Sequence, residues 1–407
     1  MPGAAETRRR HPARTLLALG VLVALAAAAW LALPVGPRGA RSGEPDRDRA
    51  AVAEVLRHRA DAVLDRDRQA YLRQIDLERK AFRAAEDRRF TNLREVPLAS
   101  FGYRLLDTEP AGDGRTRATA ELRYRLRGHD DRPVTGAEEF LLTERAGRLR
   151  ISADRGGTAQ LWDFGPVRAV RGEHGLVLGL GDRGTLAARA AEADRAVSAV
   201  RQVWHDGWDG TVVLLVPGTS RQMTALLGVP EGTYRDIAAV TTAELRHGSA
   251  APADRVVVNP DAFDRLSAFG RQAVLTHETT HVATRRGTGP ATPLWLSEGF
   301  ADWVAYRDSG RSPREIAPEL RRDVLAGRAP GRLPADADFA PDAAGLAQSY
   351  QTAWLACRLI AEEYGQDRLV ELYRTPGDTD ARTRRVLGTG YDDFLRRWRD
   401  YLERELR

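Results

Sequence analysis

Residues 16–33 form an unbroken run of Ala, Leu, Val, Gly and Trp, preceded by Arg8, Arg9, Arg10 and Arg14. Eighteen apolar residues are about the least that crosses a bilayer as a helix, and a basic flank before such a run marks a signal anchor or a signal peptide. Residues 27–32 contain small residues but offer no clean small-x-small cleavage site. The expectation is therefore a retained single-pass anchor with the bulk of the chain outside the cytoplasm, the alternative being secretion after cleavage. Beyond it, residues 50–82 carry Val52, Val55, Leu56, Ala62, Val63 and Leu64 at helical spacing. The period then drops to two over residues 100–105, 117–126, 138–143 and 149–151, with turns at Gly112-Asp113-Gly114 and Gly128-His129-Asp130-Asp131, which predicts an antiparallel sheet. Glycines near 154–166 mark a boundary. After it the pattern predicts a strand pair over 167–181, a helix over 185–204, and strands over 211–216, 237–242 and 255–258. From 262 to 407 it is almost wholly helical.

The expected fold class is thus α+β. A chain of 407 residues with 43% apolar and 29% charged positions should fold as two or more units. The pattern divides it into a basic cytoplasmic tail (1–14), a membrane segment (15–35), a Gly- and Pro-rich linker (36–48), a small α+β module (49–158) and a larger domain (159–407). The module's helices followed by a meander resemble the nuclear-transport-factor-like and cystatin-like cones, a likeness that implies an accessory role in binding or spacing. Basic residues number 62, all but Lys80 being arginine, against 57 acidic ones, and the net charge is +5. That balance first suggests nucleic acid. The arginines, however, alternate with aspartates, as in Asp46-Arg47-Asp48-Arg49 and Asp65-Arg66-Asp67-Arg68, which read as self-compensated helix faces; no nucleic-acid partner is expected. Cys357 is the one cysteine, so intrachain disulfides, iron–sulfur clusters and cysteine-rich zinc sites are excluded. Its apolar surroundings over 353–360 predict a buried thiol, and Phe394, Trp398, Tyr401 and Leu402 predict the packing stripe of a terminal helix.

The chemistry concentrates in His277-Glu278-Thr279-Thr280-His281. On a helix, positions i and i+4 lie on one face, so both imidazoles can reach one metal while the glutamate projects beside it toward a water. Chance placement of the chain's histidines and glutamates yields about 0.01 such matches. The helical pattern over 266–283 puts the motif inside a helix. A catalytic zinc site needs a third protein ligand and an open position. Glu298, in Trp295-Leu296-Ser297-Glu298-Gly299-Phe300-Ala301-Asp302, is the candidate, on a second helix starting near Pro293. Asp302, one turn on, is placed to accept the free ring N–H of a ligating histidine.

His277-Glu-x-x-His281 followed by Trp-Leu-x-Glu298-Gly-x-Ala resembles the gluzincin metallopeptidases, most closely the peptidase MA-like proteins and the aminopeptidase N-like catalytic core. The resemblance spans about 212–374. It implies a zincin domain with a mixed sheet and a mainly helical second half. It also implies one Zn2+ per chain held by His277, His281 and Glu298, with Glu278 as general base. A downstream tyrosine that stabilises the oxyanion is implied too, and Tyr350 falls where those families begin the helix that carries it. The Gly-x-Met-Glu-Asn segment that grips a substrate amine is missing, and Glu244 is a weak substitute for it. Peptide or protein substrates and hydrolysis of peptide bonds are what the likeness predicts, the alternative being a non-catalytic zinc-containing binding or scaffold protein at the cell envelope.

Overall fold

A computed structural model describes residues 44–242, 253–285, 288–289, 292–340 and 343–407. The tail, the apolar run at 16–33, the linker up to residue 43 and Glu244 lie outside them. Among the described residues no helix is long and apolar enough to cross a membrane.

The chain is a mixed α+β protein. It opens with α1 (Glu44–Leu64), α2 (Arg68–Arg73) and α3 (Lys80–Asn92). The first helix takes in the last five residues, 44–48, of the stretch read as linker. Pro45 explains this, because proline sacrifices no hydrogen bond in a helix's first turn. In the charge run at 65–68, residues 65–67 form a turn and Arg68 opens α2, so the run is not one helix face. Arg66 adopts a left-handed φ of 58°, and the Asp67 carboxylate accepts the Ala70 N–H to cap α2. Aspartate satisfies the orphan amides at a helix start better than it sustains a helix interior.

Four strands follow: β1 (Leu98–Pro110), β2 (Arg115–Leu126), β3 (Val134–Arg145) and β4 (Arg148–Gly157). They pair in sequence order as an antiparallel meander. After α4 (Leu161–Phe164) come β5 (Arg168–Arg171), β6 (Gly175–Gly179), α5 (Arg183–Arg201), β7 (Val212–Val216), α6 (Ser220–Leu227), β8 (Ala239–Thr241) and β9 (Val256–Val258). These strands form a second sheet in the order β5-β6-β7-β9-β8, parallel in its middle and antiparallel at both edges.

Alternation along the strands assigns each face of this sheet. Leu176, Leu178 and Val213 pack into the core of the first layer with Leu122, Phe140 and Trp162, while Val177, Leu214 and Val258 face α5 and the helix of the His-Glu motif. The hydrophobic core of the first layer therefore runs across residue 158 without a break.

The remainder is helical: α7 (Pro260–Phe263), α8 (Ala268–Thr284), α9 (Leu294–Tyr306), α10 (Pro313–Ile316), α11 (Pro318–Leu325), α12 (Leu346–Glu363), α13 (Gln366–Arg374), α14 (Thr379–Arg382) and α15 (Tyr391–Leu406). One large cluster unites α9, α12, α13 and α15, with Phe394, Trp398, Tyr401, Leu402 and Cys357 all buried in it. Helices α9 and α12 touch through backbone. A Cβ at Gly299 would stand 2.3 Å from the Ala353 carbonyl oxygen, so only glycine lets them approach this closely beside Glu298.

Candidate metal centre

Helix α8 begins at Ser267, whose hydroxyl accepts the Gly270 N–H at 3.1 Å, and ends at Thr284. Its C-terminal half, His277 to His281, is buried throughout. Residues 277 and 281 lie one above the other on the face turned to α9, as spacing of four requires. Helix α9 enters from Pro293, where the Asp336 carboxylate accepts the first free amide, that of Leu294, at 2.9 Å. Glu298 and Asp302, one turn apart, then face the same point.

The donor atoms converge. His277 Nε2 and His281 Nε2 are 2.9 Å apart, and Glu298 Oε2 lies 3.3 Å from the first and 3.5 Å from the second. In a tetrahedral zinc site with bonds of about 2.0–2.1 Å, the donors stand about 3.3–3.4 Å from one another. The observed triangle fits that spacing. Its chemistry fits as well, since two imidazoles and one carboxylate are a common catalytic donor set. Moreover, Glu298 Oε2 is buried without a protein hydrogen bond among the described residues, which leaves its lone pairs for a cation.

Around these three atoms the charges are compensated. His277 Nδ1 donates to Asp302 Oδ1 at 2.8 Å, which in the neutral ring leaves Nε2 as the atom with a free lone pair. Burial works against a charged His277, but the hydrogen bond and charge of Asp302 and the charge of Glu298 outweigh it and hold the ring well above its ordinary value. Burial likewise opposes ionisation of Glu298, yet the two imidazoles prevail and hold its carboxyl below the usual range. For Asp302 burial wins, and its carboxyl is raised.

No family model and no curated protein matches this chain.

Glu278, fully buried, projects from the same helix. Its Oε2 accepts the Thr241 hydroxyl at 2.7 Å, while Oε1 is buried with no partner among the described residues. Burial raises this carboxyl above its ordinary value, and the nearby imidazoles and Thr241 offset the rise only in part. One oxygen is anchored and the other is left to take a proton.

Tyr350 sits in the second turn of α12, its ring edge-on to Phe339 at 5.2 Å and buried in the helical core. It lies one turn before Ala353, the residue against which Gly299 packs. A second tyrosine adjoins the ligand-bearing helices. Tyr373 Oη is within hydrogen-bond distance of Thr288 (2.7 Å), Thr284 (3.2 Å) and Ser297 (3.3 Å), and so ties the end of α8 to the residue before Glu298.

Two of these residues escape sequence reasoning. Thr241 belongs to a three-residue strand and carries no motif. Tyr373 is one aromatic position in an amphipathic helix. Only the fold brings them to the site.

Proposed function

We propose that the chain is a zinc-dependent peptidase of the gluzincin type, hydrolysing peptide bonds of a peptide or protein outside the cytoplasm while tethered by residues 16–33. The observation that carries this reading is the convergence of His277 Nε2, His281 Nε2 and Glu298 Oε2 with a buried, half-anchored Glu278 beside them. His277, His281 and Glu298 would hold the ion, which when bound supplies Lewis acidity toward a water and a scissile carbonyl.

The chain's own groups do the rest. Glu278 Oε1 accepts a proton from the attacking water and passes it to the leaving amine, and its raised proton affinity suits a base that must also act as an acid. Asp302 keeps His277 in the tautomer that leaves Nε2 free. Tyr350 is the candidate donor to the developing oxyanion. For localisation, the apolar run after four arginines supports an anchor with the zinc domain outside.

The test is metal content and peptide cleavage measured together. Freshly purified protein should hold one zinc per chain and His281→Ala should hold none. Glu278→Gln should retain zinc and lose cleavage of the proteins whose new termini the wild type generates. No stoichiometric zinc in the wild type, or cleavage by Glu278→Gln equal to wild type, would overturn the reading.

A further inference from the structure

The first layer of the fold reaches the base of the proposed site through one buried ion pair. In the turn between β2 and β3, Asp130 Oδ2 accepts the Leu126 N–H at 2.7 Å and meets Arg255 Nη2 at 2.6 Å. The side chains of Asp130 and Arg255 are 0% and 4% exposed. Arg255 stands just ahead of β9 and is locked to the end of β8, its N–H donating to Thr242 Oγ1 at 3.0 Å and its carbonyl accepting the Thr242 N–H at 2.8 Å. Next to Thr242 is Thr241, whose hydroxyl holds Glu278 Oε2 and also lies 3.2 Å from the Glu278 carbonyl. Strand β8 is short and at the edge of its sheet, paired with β9 alone. Three residues of ladder at an edge are weak by themselves, and the pinned guanidinium supplies what the strand lacks.

We infer that Asp130 is a positioning residue for the Glu278 carboxylate, acting through Arg255 and the Thr241–Thr242 end of β8. This rests on Glu278 being the proton acceptor of the proposed reaction. It gives the N-terminal layer a role in catalysis without a ligand of its own: it fixes the strand from which the base is held. Asp254 strengthens the arrangement from the other side, pairing at 3.1 Å with Arg285 where α8 ends.

The test uses the full chain loaded with zinc and has two arms. In the first, amide hydrogen exchange is followed at Val240, Thr241 and Thr242. Asp130→Asn should speed exchange there about tenfold, equivalent to about 1.4 kcal/mol of local stability, and leave α15 unchanged. Should Asp130→Asn fold poorly because Arg255 is left unpaired, the double variant Asp130→Asn/Arg255→Met removes both charges and avoids that burden. It should keep the fold and still show the faster exchange. Unchanged protection at 240–242 in the folded double variant overturns the inference. In the second arm, turnover of fluorescent casein is measured. Thr241→Val should lower kcat about tenfold or more with KM unchanged, Thr241→Ser should restore it, and Asp130→Asn should cost far less in the Thr241→Val background than in wild type. Additive losses on kcat would also overturn the inference. Wild-type protein that leaves casein intact counts against the peptidase reading alone, and the exchange arm then decides the role of Asp130.

Discussion

Asp302→Ala is the most informative single change for the proposed metal centre, because it removes a group that touches a ligand and is not one. The carboxylate stands 2.8 Å from His277 Nδ1 with both side chains at or below 5% exposure, so the contact is a charge-assisted hydrogen bond away from water. Such bonds contribute about 1.5–3 kcal/mol. Outer partners of ligating histidines are worth about 10–100-fold in metal affinity, which is about 1.4–2.8 kcal/mol. The two ranges agree. We therefore expect Asp302→Ala to weaken zinc binding about 10–100-fold, Asp302→Asn to weaken it less because an amide oxygen still accepts the Nδ1–H, and His277→Ala to weaken it more than either. Affinity is read by competition against a chromophoric chelator at constant pH. Thermal unfolding of each metal-free variant guards against a general loss of structure. An Asp302→Ala affinity within about twofold of the parent, in a protein that still folds, would refute the argument, since the ring would then need no partner to present Nε2.

Four other outcomes are expected. Zinc at about 100 times its dissociation constant should stabilise the native chain by about 2.7 kcal/mol, seen as a raised unfolding temperature that chelator reverses and that His281→Ala lacks. Gly299→Ala sets a methyl 2.3 Å from the Ala353 carbonyl and should cost about 1–3 kcal/mol or more in urea unfolding; a neutral result would mean that α9 and α12 can part freely. In the first layer, burial opposes the charge of Glu86, but Arg59 at 2.6 Å, Arg89 and the Tyr71 hydroxyl outweigh it and lower its carboxyl. A lowered folded value adds stability above the unfolded value that fades as pH falls through the folded one. Hence Glu86→Gln should cost about 3–5 kcal/mol at neutral pH by stranding Arg59, and its deficit should shrink in acid; parallel stability curves from neutral to acid pH would contradict this. Tyr350→Phe should lower kcat and leave bound zinc unchanged, and an unchanged kcat would remove Tyr350 from the reaction.

How far the sequence foretells this structure depends on how local each determinant is. Period-two runs such as Ala118, Ala120, Leu122, Tyr124 and Leu126 decide their own face, and the strands of the meander stand where that alternation puts them. His277, Glu278 and His281 are one helical turn of information, so their juxtaposition is legible. Glu298 and Asp302 are legible as a pair for the same reason, although the meeting of α8 with α9 needs the fold. Residues 65–68 mislead because alternating charge suits an exposed helix and a capping turn alike, and only Arg66's left-handed backbone separates them. Thr241 and the Asp130–Arg255 pair are illegible in principle. Their partners are 37 and 125 residues away, and no spacing rule links an edge strand to a turn of another sheet.

The second sheet offers one apolar face to the meander layer and the other to α5 and α8, the helix of the candidate metal centre. Neither half of the chain is then self-sufficient, for parting them would bare Leu176, Leu178 and Val213 on one side and Leu122 and Phe140 on the other. Cut near Gly157, the protein should behave as a pair of complementing fragments that co-purify when made together and precipitate when made apart. Any shuffling of the helical half onto a different N-terminal partner would have to bring a matching greasy surface with it.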